Sequence, residues 1–253
     1  MANLSLDLFR GLLLKFGGPL RSAVPNKSNR PIQIRLLLFF AVTAVAIIVG
    51  WQILKPSGVL PIYHPSQLDP RLVADEVKGR TGEHHISDFN LIDQHGAHVN
   101  LSDVGERIIV ADFFFTTCTT ICPKMTTQMG RVQAAFPVGT PMMLLSHSVT
   151  PEMDSVPVLA DYAQLYKADY DRWRFLTGDR KQIYDLARGS YFAAVDEGDG
   201  GPDDFVHTEN FVLVDPQRRI RGFYDGTKTV DVDRLIGDIE KLLEEVKDHT
   251  PDK

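Results

Sequence analysis

Two hydrophobic patterns divide the chain. From Leu36 to Leu54, nineteen consecutive residues carry no charge and are mostly Leu, Phe, Ala, Val and Ile, with no polar face opposing an apolar one. As a helix this run extends roughly 28 Å, about the thickness of a bilayer core, and Trp51 suits an interfacial anchor. A buried core helix is the competing reading, but such helices rarely go five turns without a charged face. The pattern predicts one transmembrane helix at 36–54.

Beyond it, Pro56, Pro61, Pro65 and Pro70 predict an extended Pro-rich linker over 55–82. Short apolar and amphipathic stretches then alternate through a domain at 83–248. Phe89–Asp93 and His98–Leu101, around Gln94-His95-Gly96, predict a hairpin. Arg107–Phe115 reads as a buried strand, Pro123–Phe136 as a helix, Pro141–Ser148 as a strand and Pro157–Tyr166 as a helix. Trp173–Leu176 follows as a strand and Lys181–Phe192 as a helix. Asn210–Val214 and Arg219–Tyr224 predict a second hairpin, and Asp231–Val246 an amphipathic closing helix with Asp231 as N-cap. This order predicts an α/β domain with a mixed central sheet flanked by helices, in a thioredoxin-like layout. Right-handed crossovers bring the loops at 116–123 and 147–155 to one edge.

Charge orients the chain. Residues 1–35 hold six basic side chains against Asp7, and 36–253 hold 21 basic against 32 acidic. Basic residues N-terminal to the span predict a cytoplasmic segment at 1–35 and an exported body. The expected location is the bacterial inner membrane with the domain in the periplasm. The alternative is the mitochondrial inner membrane with the domain facing the intermembrane space, since 1–35 is basic and acid-poor. Ala44-Val45-Ala46 resembles a processing site, but the leader before it is long for a cleaved signal. So acidic a body argues against nucleic acid as a partner.

The chemistry lies in Cys118-Thr119-Thr120-Ile121-Cys122-Pro123, which holds both cysteines of the chain. Thiols four apart at a strand-to-helix turn can close a disulfide or hold a soft metal. A helix start and Lys124 favour thiolate, so lowered pKa values are expected for both. A purely structural disulfide over so short a loop would restrain little of the unfolded chain. Copper(I) on two sulfurs takes an imidazole as third ligand. His207, just before the strand at Asn210, is the preferred candidate, because that loop packs on the cysteine turn in thioredoxin-like folds. His147, at the end of the second long strand, competes. His64, His84, His85, His95, His98 and His249 read as exposed. Asp112 is a candidate buried acid tuning the thiols, with a strand-edge or satisfied polar residue as the equal alternative. The acidic stretch 196–204 reads as a loop lacking calcium-ligand spacing, and Met125, Met129, Met142 and Met143 as core.

Phe114-Phe115-Thr116-Thr117-Cys118-Thr119-Thr120-Ile121-Cys122-Pro123, followed at a distance by His207, resembles the Sco/SenC family of copper-binding proteins. Supporting matches are Ser148-Val149-Thr150-Pro151-Glu152-Met153-Asp154, Leu176-Thr177-Gly178 and Phe211-Val212-Leu213-Val214-Asp215-Pro216; together they span about 84–247. The resemblance implies a thioredoxin-like fold in which Cys118, Cys122 and His207 bind one copper ion, as Cu(I) or also as Cu(II). It further implies delivery to the dinuclear copper site of cytochrome c oxidase subunit II. A thiol reductant or another copper chaperone is a further expected partner. The alternative is an exported thiol–disulfide oxidoreductase using Cys118 and Cys122 as its redox pair. A peroxidase of related fold would need a proline–threonine–cysteine pattern that this chain lacks.

Overall fold

The computed structural model describes residues 30–54, 59–69, 71–73, 82–194 and 208–249. Two units emerge, Met1–Pro56 and Ser57–Lys253. The described part of the first is the helix α1 (Arg30–Leu54), within which Ile34–Trp51 is long and apolar enough to cross a bilayer. It begins six residues earlier than the uncharged run, so Arg35 lies within its first turns.

In the second unit, the chain order is β1 (Leu91–Asp93), β2 (His98–Val99), α2 (Leu101–Val104), β3 (Ile108–Phe114), α3 (Cys122–Ala135), β4 (Met142–Ser148), α4 (Val156–Leu165) and β5 (Trp173–Thr177). Then come α5 (Arg180–Asp185) with a π turn at Leu186–Ser190, β6 (Asn210–Val214), β7 (Ile220–Asp225) and α6 (Thr229–His249). The strands form one mixed sheet in the order β2-β1-β5-β4-β3-β6-β7. β3, β4 and β5 run parallel, and β6 returns antiparallel beside β3.

Every residue of β3 and β4 is buried, which is why both read as continuous apolar runs rather than alternating ones. Side chains still alternate between faces. Ile108, Val110 and Phe114 join Cys122, Met125, Trp173 and Leu235 in one core, whereas Ile109, Ala111 and Phe113 join Ile183, Tyr191 and Phe192 in the other. α3 stops where Phe136 turns extended ahead of Pro137, as the residue before proline must. The β6–β7 hairpin closes through an Arg218 amide bond to Asp215 O (2.8 Å), with Arg218 itself at φ 68°.

Several sequence expectations change: Leu101 opens α2 instead of ending a strand, and the helix expected over 181–192 ends at Asp185, where the π turn follows. Asp231 is not the N-cap of α6, which starts at Thr229; its carboxylate accepts the Asp225 amide at 3.0 Å from within the first turn. The described part of the 55–82 linker is a piece of the domain. Leu60 and Val73 are buried in it, and the Tyr63 amide bonds Ile220 O at 2.9 Å. Arg221 Nη2 bonds both Leu60 O (2.7 Å) and the Glu245 carboxylate (2.6 Å), and the other Glu245 oxygen accepts the Leu60 amide. Asp215, fully buried, takes Arg221 Nη1 at 3.2 Å. The arginine is thus ion-paired on two sides, as a buried cation must be. It straps 59–61 to the start of β7.

Candidate metal centre

The parallel pairing of β3 and β4 brings their ends to one pole, and two loops knit there. The Val149 amide bonds Phe114 O at 2.9 Å. Asp154, fully buried, accepts the Thr116 amide (3.2 Å) and hydroxyl and the hydroxyls of Ser148 (2.5 Å) and Thr150 (3.1 Å). One carboxylate therefore fixes the turn that carries Cys118. The sequence reading missed this role, because the partners Thr116 and Asp154 lie 38 residues apart.

Cys118 lies in the turn and Cys122 opens α3, so the pair does not share a helix face. The contact is instead a cap: the Cys122 amide donates to Cys118 Sγ at 3.4 Å, and Thr120 Oγ1 lies 3.8 Å from the same sulfur. Both thiols are free, with Cys118 half-buried and Cys122 buried. Burial pushes Cys118 up, but hydrogen bonds from Cys122 and Thr120 outweigh it and bring the thiol down to about 7. The expectation of two lowered thiols fails at Cys122, which burial pushes up to about 12, with smaller upward contributions from Cys118 and Asp112. A single helix terminus serves the sulfur outside the helix, while the one within it sinks into the apolar core. Thr126 Oγ1 bonds Cys122 O (2.8 Å) and sits 2.9 Å from Tyr162 OH, closing the core beneath.

Asp112 is buried on the Cys122 face. Burial raises its carboxyl to about 7 against a lowering hydrogen bond with Ser146, and Oδ1 has no partner among the described residues. His147 is on the other face. It stacks on Phe113 (4.8 Å, 20°), its Nδ1 lies 3.2 Å from Asp112 O, and burial lowers it to about 4. The sheet therefore separates it from the sulfurs. His84, expected exposed, is half-buried, with Nε2 2.7 Å from Ser190 O and its ring on Phe192.

His207 and the acidic stretch 196–204 lie outside the described residues. Among the described residues no three His, Cys, Asp or Glu side chains group as metal ligands. The chain is described again from Thr208, whose hydroxyl bonds Ala193 O (2.5 Å). Val212 pairs with Ala111 in antiparallel register, so the start of β6 lies at the pole where β3 ends and the cysteines follow. The donor set that is described, two adjacent free thiols of which one ionises near neutrality, suits a soft monovalent cation.

The SCO1/SenC family profile matches residues 77–244. The SCO1 protein homolog of Bacillus subtilis (strain 168) is 32% identical over 159 residues, 62% of this chain and 82% of that protein. A protein of Stutzerimonas stutzeri provisionally named as copper-binding is 28% identical over 144 residues, 55% of this chain and 69% of that protein. Among solved structures, BsSco, described with a disulfide switch and as a Sco-family cytochrome c oxidase assembly protein, is similar at a TM-score of 0.55 and 31% identity. That likeness covers 64% of this chain and 94% of the BsSco chain. With its thioredoxin-like sheet and the cysteine turn at the end of β3, this chain belongs to the SCO1/SenC family.

Proposed function

We propose that the protein is a membrane-anchored copper chaperone that delivers copper to the dinuclear site of cytochrome c oxidase subunit II. Cys118, Cys122 and His207 hold the single ion, and the domain faces the periplasm or, in a mitochondrion, the intermembrane space. The observation that carries this reading is the placement of two free thiols at the end of β3, at the pole where β6, the strand that follows His207 in sequence, begins. Cys118 is half-exposed and ionises near neutrality, whereas Cys122 is sealed in the core. Family membership, the copper-binding designation of the Stutzerimonas relative and the oxidase-assembly role of BsSco support it.

The division of labour follows from burial. Loading displaces a proton from Cys122, because the metal requires a thiolate that solvent does not supply there. Cys118, at the surface, meets the recipient's sulfur first and is the ligand exchanged first. Copper passes between donors without change of oxidation state. The test is copper analysis of the full chain after anaerobic loading. We expect about one copper per chain, lost in Cys118→Ser and Cys122→Ser and largely lost in His207→Ala. Full retention in His207→Ala would overturn the ligand set.

A thiol–disulfide exchange reading is favoured by the same asymmetry and by the disulfide switch of BsSco. Cys118 thiolate attacks a partner disulfide, and Cys122 then displaces the partner from the mixed disulfide. The partner leaves with two thiols, and Cys118 and Cys122 are oxidised to a disulfide. Partner reduction that is lost in Cys118→Ser and unaffected by His207→Ala distinguishes it.

A further inference from the structure

The opposite pole of the sheet carries a cavity of about 210 Å³. Arg107 directly precedes β3, and Met143 and Arg174 are the second residues of β4 and β5, so the cavity opens at the strand starts, remote from Cys118. Its floor is apolar, formed by Met143 and Leu145, both buried. Its wall holds two guanidinium groups in different circumstances.

Arg174 is committed. Its Nη1 bonds Asp93 Oδ2 at 2.9 Å, and its guanidinium lies 3.2 Å from the Tyr170 ring centre. Asp93 is itself saturated, also accepting Tyr170 OH (2.8 Å) and the amides of His95 and Ala97. Arg107 is held but not neutralised. Nε donates to Val104 O (2.5 Å) and Nη2 to Asp103 O (2.6 Å), and no carboxylate among the described residues forms an ion pair with it. The Asp103 carboxylate, at the cavity wall, accepts the Asn100 amide at 2.9 Å. Burial depresses the Arg107 pKa, and the charges of Arg174 and Arg218 depress it further. Two carbonyls thus orient a guanidinium that lacks a carboxylate partner among the described residues and that two other cations repel, beside a cavity with an apolar floor. An anion relieves the repulsion, and an apolar body suits the floor.

We propose that this cavity binds a small organic monocarboxylate, its carboxylate on the Arg107 guanidinium and its apolar body on Met143 and Leu145. The test is equilibrium dialysis of the full chain in detergent micelles against empty micelles, with benzoate, benzyl alcohol and inorganic phosphate as probes. Benzoate is expected to bind once, saturably, with a dissociation constant on the order of 1 mM. Benzyl alcohol, lacking the charge, and phosphate, lacking the body, bind the wild type at least ~10-fold more weakly. In Arg107→Gln, benzoate affinity falls at least ~10-fold while benzyl alcohol binding is unchanged. The proposal is overturned if benzoate does not saturate, if either comparison probe binds the wild type as tightly, or if folded Arg107→Gln retains benzoate affinity. The wild-type comparisons stand even if that variant does not fold.

Discussion

The amide of Cys122 is aimed at the sulfur of Cys118, 3.4 Å away, while the sulfur of Cys122 itself is buried. One residue thus activates its neighbour with its backbone and withholds its own side chain. On reduced, metal-free protein, iodoacetamide should label Cys118 with a rate that rises through pH about 7, since the thiolate is the nucleophile. Cys122, held near 12, should stay unlabelled through the neutral range. Peptide mass spectrometry against pH reads both sites, and identical profiles for the two cysteines would refute the asymmetry.

Asp112 sets a limb on which stability falls as pH rises from about 3.8 to about 7. Its folded value near 7 is above the ordinary 3.8. Its contribution is therefore fully present below about 3.8 and is lost as pH rises through about 7. Asp112→Asn should leave stability at pH 4 nearly unchanged and raise it at pH 8 by on the order of 2–4 kcal/mol. Urea denaturation at the two pH values checks this. An equal effect at both would mean that the carboxyl does not resist ionisation.

His147 gives the acid limb, with the opposite sign. Its folded value near 4 lies below the ordinary 6.5, so stability is complete above 6.5 and falls as pH drops toward 4. His147→Leu should flatten that limb. Because the ring stacks on Phe113, across the sheet from Cys122, the variant should also keep full copper retention. A parallel loss of copper would place His147 in the site after all.

The strap at 59–61 is a stability element. Arg221→Met removes the cation shared by Asp215 and Glu245 while Arg219 still pairs Asp215 at 2.8 Å, and should cost about 1–3 kcal/mol. Removing both charges, in Arg221→Met with Glu245→Leu, should restore part of this. A double-mutant cycle by chemical denaturation measures the coupling.

Much of the sheet was legible because β3 and β4 are buried on both faces and so appear as unbroken apolar runs, and because Pro123 and Pro157 mark helix starts. The cysteine turn was legible from spacing and from its place at a strand end. What escaped depends on contacts distant in sequence. Leu60 and Tyr63 looked like spacer because their partners, Glu245 and Ile220, lie more than 150 residues away. Asp154 gave no local sign of gripping Thr116. The two thiols looked equivalent because spacing does not tell which sulfur faces the core. Periodicity does place Asp112 and His147 on opposite faces, but only once the register of β3 with β4 is known.

The incoming chain is fastened beside Ile220, which aligns with the start of β3, whereas Cys118 follows that strand's far end. The length of the sheet therefore stands between the point of attachment and the reactive sulfur. A pull on the segment at 60–63 thus loads β7 and α6 before it can disturb the turn where cargo would change hands.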